Sequence, residues 1–148
     1  MHSTVLLLIH EFVSSQMVSH QGQEHLLDGA LRRFGEALGK KAMTRVLMDK
    51  PFFDYTNDHY RAIDLLRRDF WIFCFGSKIR MESTPGDFEL FRVPGTKDKT
   101  EKVFLEKCEL VLCSMTKAAI SVLNVPVDFV VERRQSGYAF EFVASQNN

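Results

Sequence analysis

The chain has 148 residues, 45% of them hydrophobic and 26% charged, which suits one domain with a real core. Lys plus Arg and Asp plus Glu each number 19, so the formal charge is zero, which argues against a nucleic-acid binder held by phosphate electrostatics. Thirteen phenylalanines point to a thick core or an apolar docking surface, and so neutral a chain is expected to live with a partner.

Residues Thr4 to Val18 are predicted as a first helix, capped by Ser3 or Thr4, with Val5, Leu8, Ile9, Phe12 and Val13 on one face. Leu6 and Leu7 make its first turns apolar on other sides too. Ser19 to Glu24, with Gly22, reads as a polar turn. Leu26 to Leu47 is a second helix with Leu27, Leu31, Phe34, Leu38 and Ala42 in register. Gly35-Glu-Ala-Leu-Gly39 inside it invites another backbone to approach, because a helical glycine otherwise costs about 1 kcal/mol.

Asp49-Lys-Pro51 ends that helix, and Phe52-Phe-Asp-Tyr55 is an aromatic loop with caps available at Thr56, Asn57 and Asp58. Tyr60 to Phe75 is the third helix and the expected centre of the core. Ile63, Leu66, Phe70 and Phe73 share a face, and Phe70 to Phe75 are expected to be buried on every side, up to a cap at Gly76. Ile79 and Met81, a turn at Pro85-Gly86, then Phe88, Leu90 and Val93 predict a hairpin. Pro94 to Lys102 is an exposed loop, and Val103 to Leu123 a fourth helix about 30 Å long. Val127, Phe129 and Val131, a turn at Gln135-Ser-Gly137, then Tyr138, Phe140 and Phe142 form a second hairpin. Helices grouped with hairpins in this way predict an α+β domain over the whole of residues 1–148, helices packed on one face of an antiparallel sheet.

Catalytic and metal motifs are hard to find. His10-Glu11 begins an H-E-x-x-H pattern, but Ser14 stands where the second histidine belongs. Cys108 and Cys113 sit roughly 140° apart around a helix and do not easily share a metal. Three cysteines without paired spacing imply a reducing compartment. Val5 to Ile9 is too short for a signal-peptide core, and Glu106, Lys107, Glu109 and Lys117 interrupt the longest apolar helix, so a cytoplasmic protein without metal, cofactor or catalytic site is expected.

The order of these features resembles the small subunits of TRAPP, the multisubunit vesicle-tethering complex that also acts as exchange factor for a Rab GTPase. The resemblance lies in the first helix, Gly35-x-x-x-Gly39, Phe52-Phe-Asp54, Arg68-Asp69-Phe70-Trp71, the hairpin, Cys113 in a long apolar helix and the last hairpin, from about Val5 to Val143. The subunit-six branch is the most similar, through Arg68-Asp69-Phe70-Trp71 and the stretch Ile9-His-Glu-Phe12 to Gln16-Met-Val18. Phe52 stands where the acylated subunit-three branch has its cysteine, so the chain does not resemble the acylated subunit. The family's C-G-x-x-R-G motif appears as Cys113-Ser-Met-Thr-Lys117-Ala118, with cysteine and positive charge kept and both glycines lost.

The resemblance implies a two-layer α/β plait with a four-stranded antiparallel sheet. It also implies a non-catalytic subunit of ER-to-Golgi and Golgi transport, peripheral to those membranes through its complex. The implied partner is a second small subunit of the subunit-three type, the pair helping to assemble the Rab exchange platform and touching the Rab only indirectly. The expected interface is Val5, Leu8, Ile9, Phe12 and Val13 with Leu27 and Leu31, dominated by Phe12 and Ile9; the same face could instead pack on the chain's own third helix. The alternatives are a small-ligand or acyl-chain binding module and a cysteine hydrolase using Cys108 or Cys113, which would need a thiolate-stabilising neighbour. A haem sensor of similar fold is disfavoured, because none of Tyr55, Tyr60 and Tyr138 begins a Tyr-x-Ser-x-Arg motif.

Overall fold

A computed structural model of the chain describes residues 4–75, 80–81, 87–90, 99–134 and 137–144. Helix α1 runs Thr4–Ser19 and α2 runs Glu24–Met48. Between them Gly22 takes φ 78°, left-handed backbone that glycine adopts without a steric penalty. A 3-10 turn, Tyr55–Asn57, leads into a helix of three successive segments: α3 His59–Asp64, a π-helical stretch Leu65–Phe70, and α4 Trp71–Phe75. Helix α5 is Lys99–Leu123, beginning earlier than its apolar pattern does. Strands β1 Arg80–Met81, β2 Asp87–Leu90, β3 Val127–Arg134 and β4 Gly137–Ala144 pair antiparallel in the order β1-β2-β4-β3. The cap expected at Gly76, the turns at Pro85-Gly86 and Gln135-Ser136, Ile79, Val93 and residues 94–98 of the expected loop lie outside the described residues, while its last residues, Lys99 to Lys102, are the first turn of α5 and not loop.

Local chemistry sets several of these ends. The Asp58 carboxylate accepts the Arg61 N–H at 3.1 Å and caps α3, while Asp54 accepts the Thr56 N–H at 3.0 Å ahead of it. Helix α5 stops at Asn124, whose φ of 54° is a left-handed stop that asparagine tolerates, and Pro126 follows.

The most extensive packing between elements is that of α2 on α5. The two run in the same direction: Asp28 meets Lys107, Gly35 meets Val111 and Ser114, Gly39 meets Met115, and Leu47 shares a cleft with Val122. Gly35 and Gly39 make this possible. A Cβ at Gly35 would lie 2.6 Å from the Val111 carbonyl oxygen, and one at Gly39 would collide with the backbone of Met115. Helix α1 packs across this pair and on α4, burying Ile9 and Val13 completely.

The face of the third helix is not the one its spacing predicts. Leu66 and Phe70 are buried, but Ile72 and Phe73 are about half exposed, while Leu65, Trp71, Cys74 and Phe75 are buried instead. The π stretch explains the shift. Its i→i+5 hydrogen bonding fits extra residues into the turn, so positions after it are rotated relative to an uninterrupted α-helix. Phe73 therefore leaves the core, and the expectation that Phe70 to Phe75 are buried on every side is corrected.

The balance of the architecture also corrects the expected two-layer α/β plait. Helical segments take up more than half of the chain, and the core is organised around the α2–α5 pair rather than around a sheet under a single layer of helices. Helices α1, α2 and α5 pack chiefly on one another. Among the described residues the sheet meets the helical body mainly through α3 and α4, with Trp71 edge-on to Phe140 and Phe142 at 5.1 and 6.0 Å between ring centroids. Strand β1 has only two residues, so most of the strand pairing belongs to the β3–β4 hairpin, where Phe129 lies opposite Phe142 and Val131 opposite Phe140. The side carrying Asp128 and Val130 faces solvent.

Candidate interaction surface

Of the seven residues expected at a partner interface, the structure places Ile9, Val13, Leu27 and Leu31 in the chain's own core. In this conformation those four cannot meet a partner. Periodicity finds an apolar face but not what covers it, and here α2, α4 and α5 cover most of it. Val5 and Phe12 are partly buried against the same core, and the Phe12 ring stacks on Phe34 of α2 with centroids 3.9 Å apart. Leu8 is 45% exposed and its neighbour Leu7, which the face pattern omitted, is 51% exposed. Val18 and, at the start of α2, Leu26 add further apolar exposure. The outward apolar side of α1 is therefore centred on Leu7 and Leu8.

The remaining sequence-predicted residues serve packing and local charge. Gly35 and Gly39 admit the α5 backbone, as the glycine spacing anticipates. Trp71 is fully buried, and Asp69 pairs with Lys50 at 3.2 Å, joining the π stretch to the end of α2. Lys117 is exposed and Cys113 only partly buried. Lys107, one of the charges that interrupt the apolar pattern of this helix, is largely buried and donates to Asp28 at 2.8 Å and Glu24 at 3.0 Å. Burial would lower its pKa, but the two carboxylates outweigh burial and hold it above the usual lysine value.

The thiols are poor nucleophiles. Burial pushes Cys74 and Cys108 up to about 12. Cys113 rises to about 11, through burial first and the Glu109 charge second, with Lys117 opposing. A hydrolase needs the thiolate, and none of these surroundings favours it. His10 lies against Phe104, ring centroids 5.6 Å apart, and burial lowers its pKa. Among the described residues no three His, Cys, Asp or Glu side chains are grouped as a metal ion would require. No helix among them is long and apolar enough to cross a membrane.

Two surface clefts, of about 300 and 310 Å³, flank the Phe52-Phe53 loop. The first is walled by Leu47, Val122 and Leu123, the second by Arg61, Leu65 and Arg68. The sequence marks the loop as aromatic, and only the fold shows that the two arginines line the same groove. No protein-family model matches the chain, and neither a curated protein nor a solved structure is significantly similar to it.

Proposed function

We propose that this chain is a non-catalytic interaction subunit of a TRAPP-like vesicle-tethering assembly, peripheral to Golgi and ER membranes through that assembly. It pairs with another small subunit, of the subunit-three type, and helps to build a Rab exchange platform without acting on nucleotide itself. The observation that carries this reading is the apolar outward side of α1: two adjacent leucines about half exposed on a helix whose opposite side is buried in the chain's own core. Large apolar side chains left in water on a chain of zero net charge favour association. The residue pattern from Gly35 to Lys117 supports the family reading, and the raised thiols speak against cysteine chemistry.

The test is purification of the chain from its native cells, followed by intact-complex mass spectrometry under mild conditions. Recovery with other small TRAPP-like subunits in fixed stoichiometry is expected, and Leu8→Asp is expected to release the nearest partner while leaving the fold intact. Phe12→Asp is the weaker probe, because breaking the stack on Phe34 damages the subunit as well. A lone monomer would sink the tethering reading, and a bound small molecule in the same spectrum would favour the ligand-binding alternative.

A further inference from the structure

We propose that the two clefts around the Lys50–Tyr55 loop form one peptide-binding site, which takes a short acidic segment carrying a large apolar residue. Such a site does not depend on the interface at α1. Its walls are shared: Pro51, Phe52, Phe53 and Tyr55 line both clefts. Phe52 is 95% exposed and stands between them, without any of the benefit of burial that a phenylalanine ordinarily gains.

The charges on the two sides differ in kind. On the α3 side both carboxylates are engaged, Asp69 by Lys50 at 3.2 Å and Asp64 by Arg67 at 3.8 Å. Arg61 and Arg68 line the same cleft, and neither makes an ion pair among the described residues. The Arg61 guanidinium lies 3.9 Å from the centre of the Phe53 ring, a cation–π contact that holds it in place. Two arginines at one groove, one of them fixed on an aromatic ring, suit carboxylates, which guanidinium binds in a bidentate fork.

On the other side Leu47, Val122 and Leu123 offer an apolar wall. The carboxylate there, Asp54, already accepts hydrogen bonds from Thr56 and Asn57. The site therefore has a direction, with the apolar anchor toward the ends of α2 and α5 and the carboxylates toward Arg61 and Arg68. A lone anion would have no use for the apolar wall. A short extended chain crossing the Phe52 crest uses both.

The test uses the full chain and a panel of acetylated, amidated hexapeptides. Each carries one Leu or Phe and two Glu at varied spacing, and each has a counterpart with Gln for Glu. Binding is read by calorimetry and by amide chemical shifts. At least one Glu peptide should bind, with its Gln counterpart at least tenfold weaker, since charge-assisted hydrogen bonds are the stronger kind. Arg61→Ala and Arg68→Ala should each weaken binding several-fold, and Phe52→Ala should weaken it while leaving the melting curve unchanged. Lys117→Ala, outside the clefts, should bind as the parent does. Failure of every Glu peptide to bind at about 1 mM overturns the proposal. So does equal binding of the Gln counterparts, or binding that survives Arg61→Ala/Arg68→Ala. Full displacement of the peptide by inorganic phosphate at equal concentration would reassign the site to a simple anion.

Discussion

The space a side chain would need at Gly39 is occupied by the backbone of Met115. A Cβ there would collide with the Met115 carbonyl, on a neighbouring helix whose main chain cannot turn aside as a flexible side chain can. Gly39→Ala should therefore destabilise the fold by about 3 kcal/mol or more, despite a gain of about 1 kcal/mol in helix propensity. Gly29→Ala is the control. Its Cβ would meet only the mobile end of Arg33, at 3.3 Å, so this change should be neutral or stabilising by up to about 1 kcal/mol. Urea unfolding of the two variants separates close packing from propensity.

Lys107 joins α5 to the first turns of α2, and its removal should cost more than an exposed pair would. Lys107→Ala leaves Asp28, itself only partly exposed, without its cation, and should cost about 2–3 kcal/mol. Lys107→Met, which keeps the apolar stem, should cost less. An equal loss in both variants would mean that charge alone holds the junction.

Alkaline pH should weaken the fold through its thiols and through this lysine. The cysteine pKa values are raised in the folded chain from an ordinary 9.0, so their contribution is whole below 9 and is lost as pH rises toward about 12. The Lys107 contribution is whole below 10.5 and is lost above it, as pH passes through its higher folded value. His10 works in the opposite direction: its folded value is lowered from 6.5, so its share is present above 6.5 and fades on acidification. Urea midpoints measured across pH should fall on both flanks, and His10→Phe should flatten only the acid flank.

Trp71 is the single tryptophan and ties α4 to the sheet through Phe140 and Phe142. Trp71→Ala should cost about 3–5 kcal/mol. In the parent chain the fluorescence of this one residue should report loss of the helix–sheet contact, with emission moving to longer wavelength as the ring meets water. An emission maximum already typical of water in the native protein would contradict its burial.

The helices of residues 4–48, the long last helix and the β3–β4 hairpin were legible in the sequence because each follows from a local period and from its stop signals. Asp58, Gly22 and Asn124 act where local backbone chemistry would have them act. What local reading missed depends on neighbours. A π stretch leaves no mark in the spacing of Ile63, Leu66, Phe70 and Phe73, yet it rotates Phe73 out of the core. The apolar face of α1 looks the same whether it meets another chain or α2, α4 and α5, so Ile9 and Val13 read as interface residues while Leu7 was passed over. The weight of helix against sheet is not written in the sequence for a similar reason, since periodicity counts elements without saying which of them pack on which.

The pairing of α2 with α5 also has a consequence in time. Lys107 bonds to residues 79 and 83 positions earlier in the chain, so the α2–α5 pairing joins segments far apart in sequence. Loop-closure entropy must be met before that pairing returns anything, so it forms later than the local contacts within each helix. During synthesis α2 is complete some 75 residues before Leu123 emerges, roughly 4–15 s at ordinary elongation rates. For those seconds the face of α2 around Gly35 and Gly39 has no α5 to pack against.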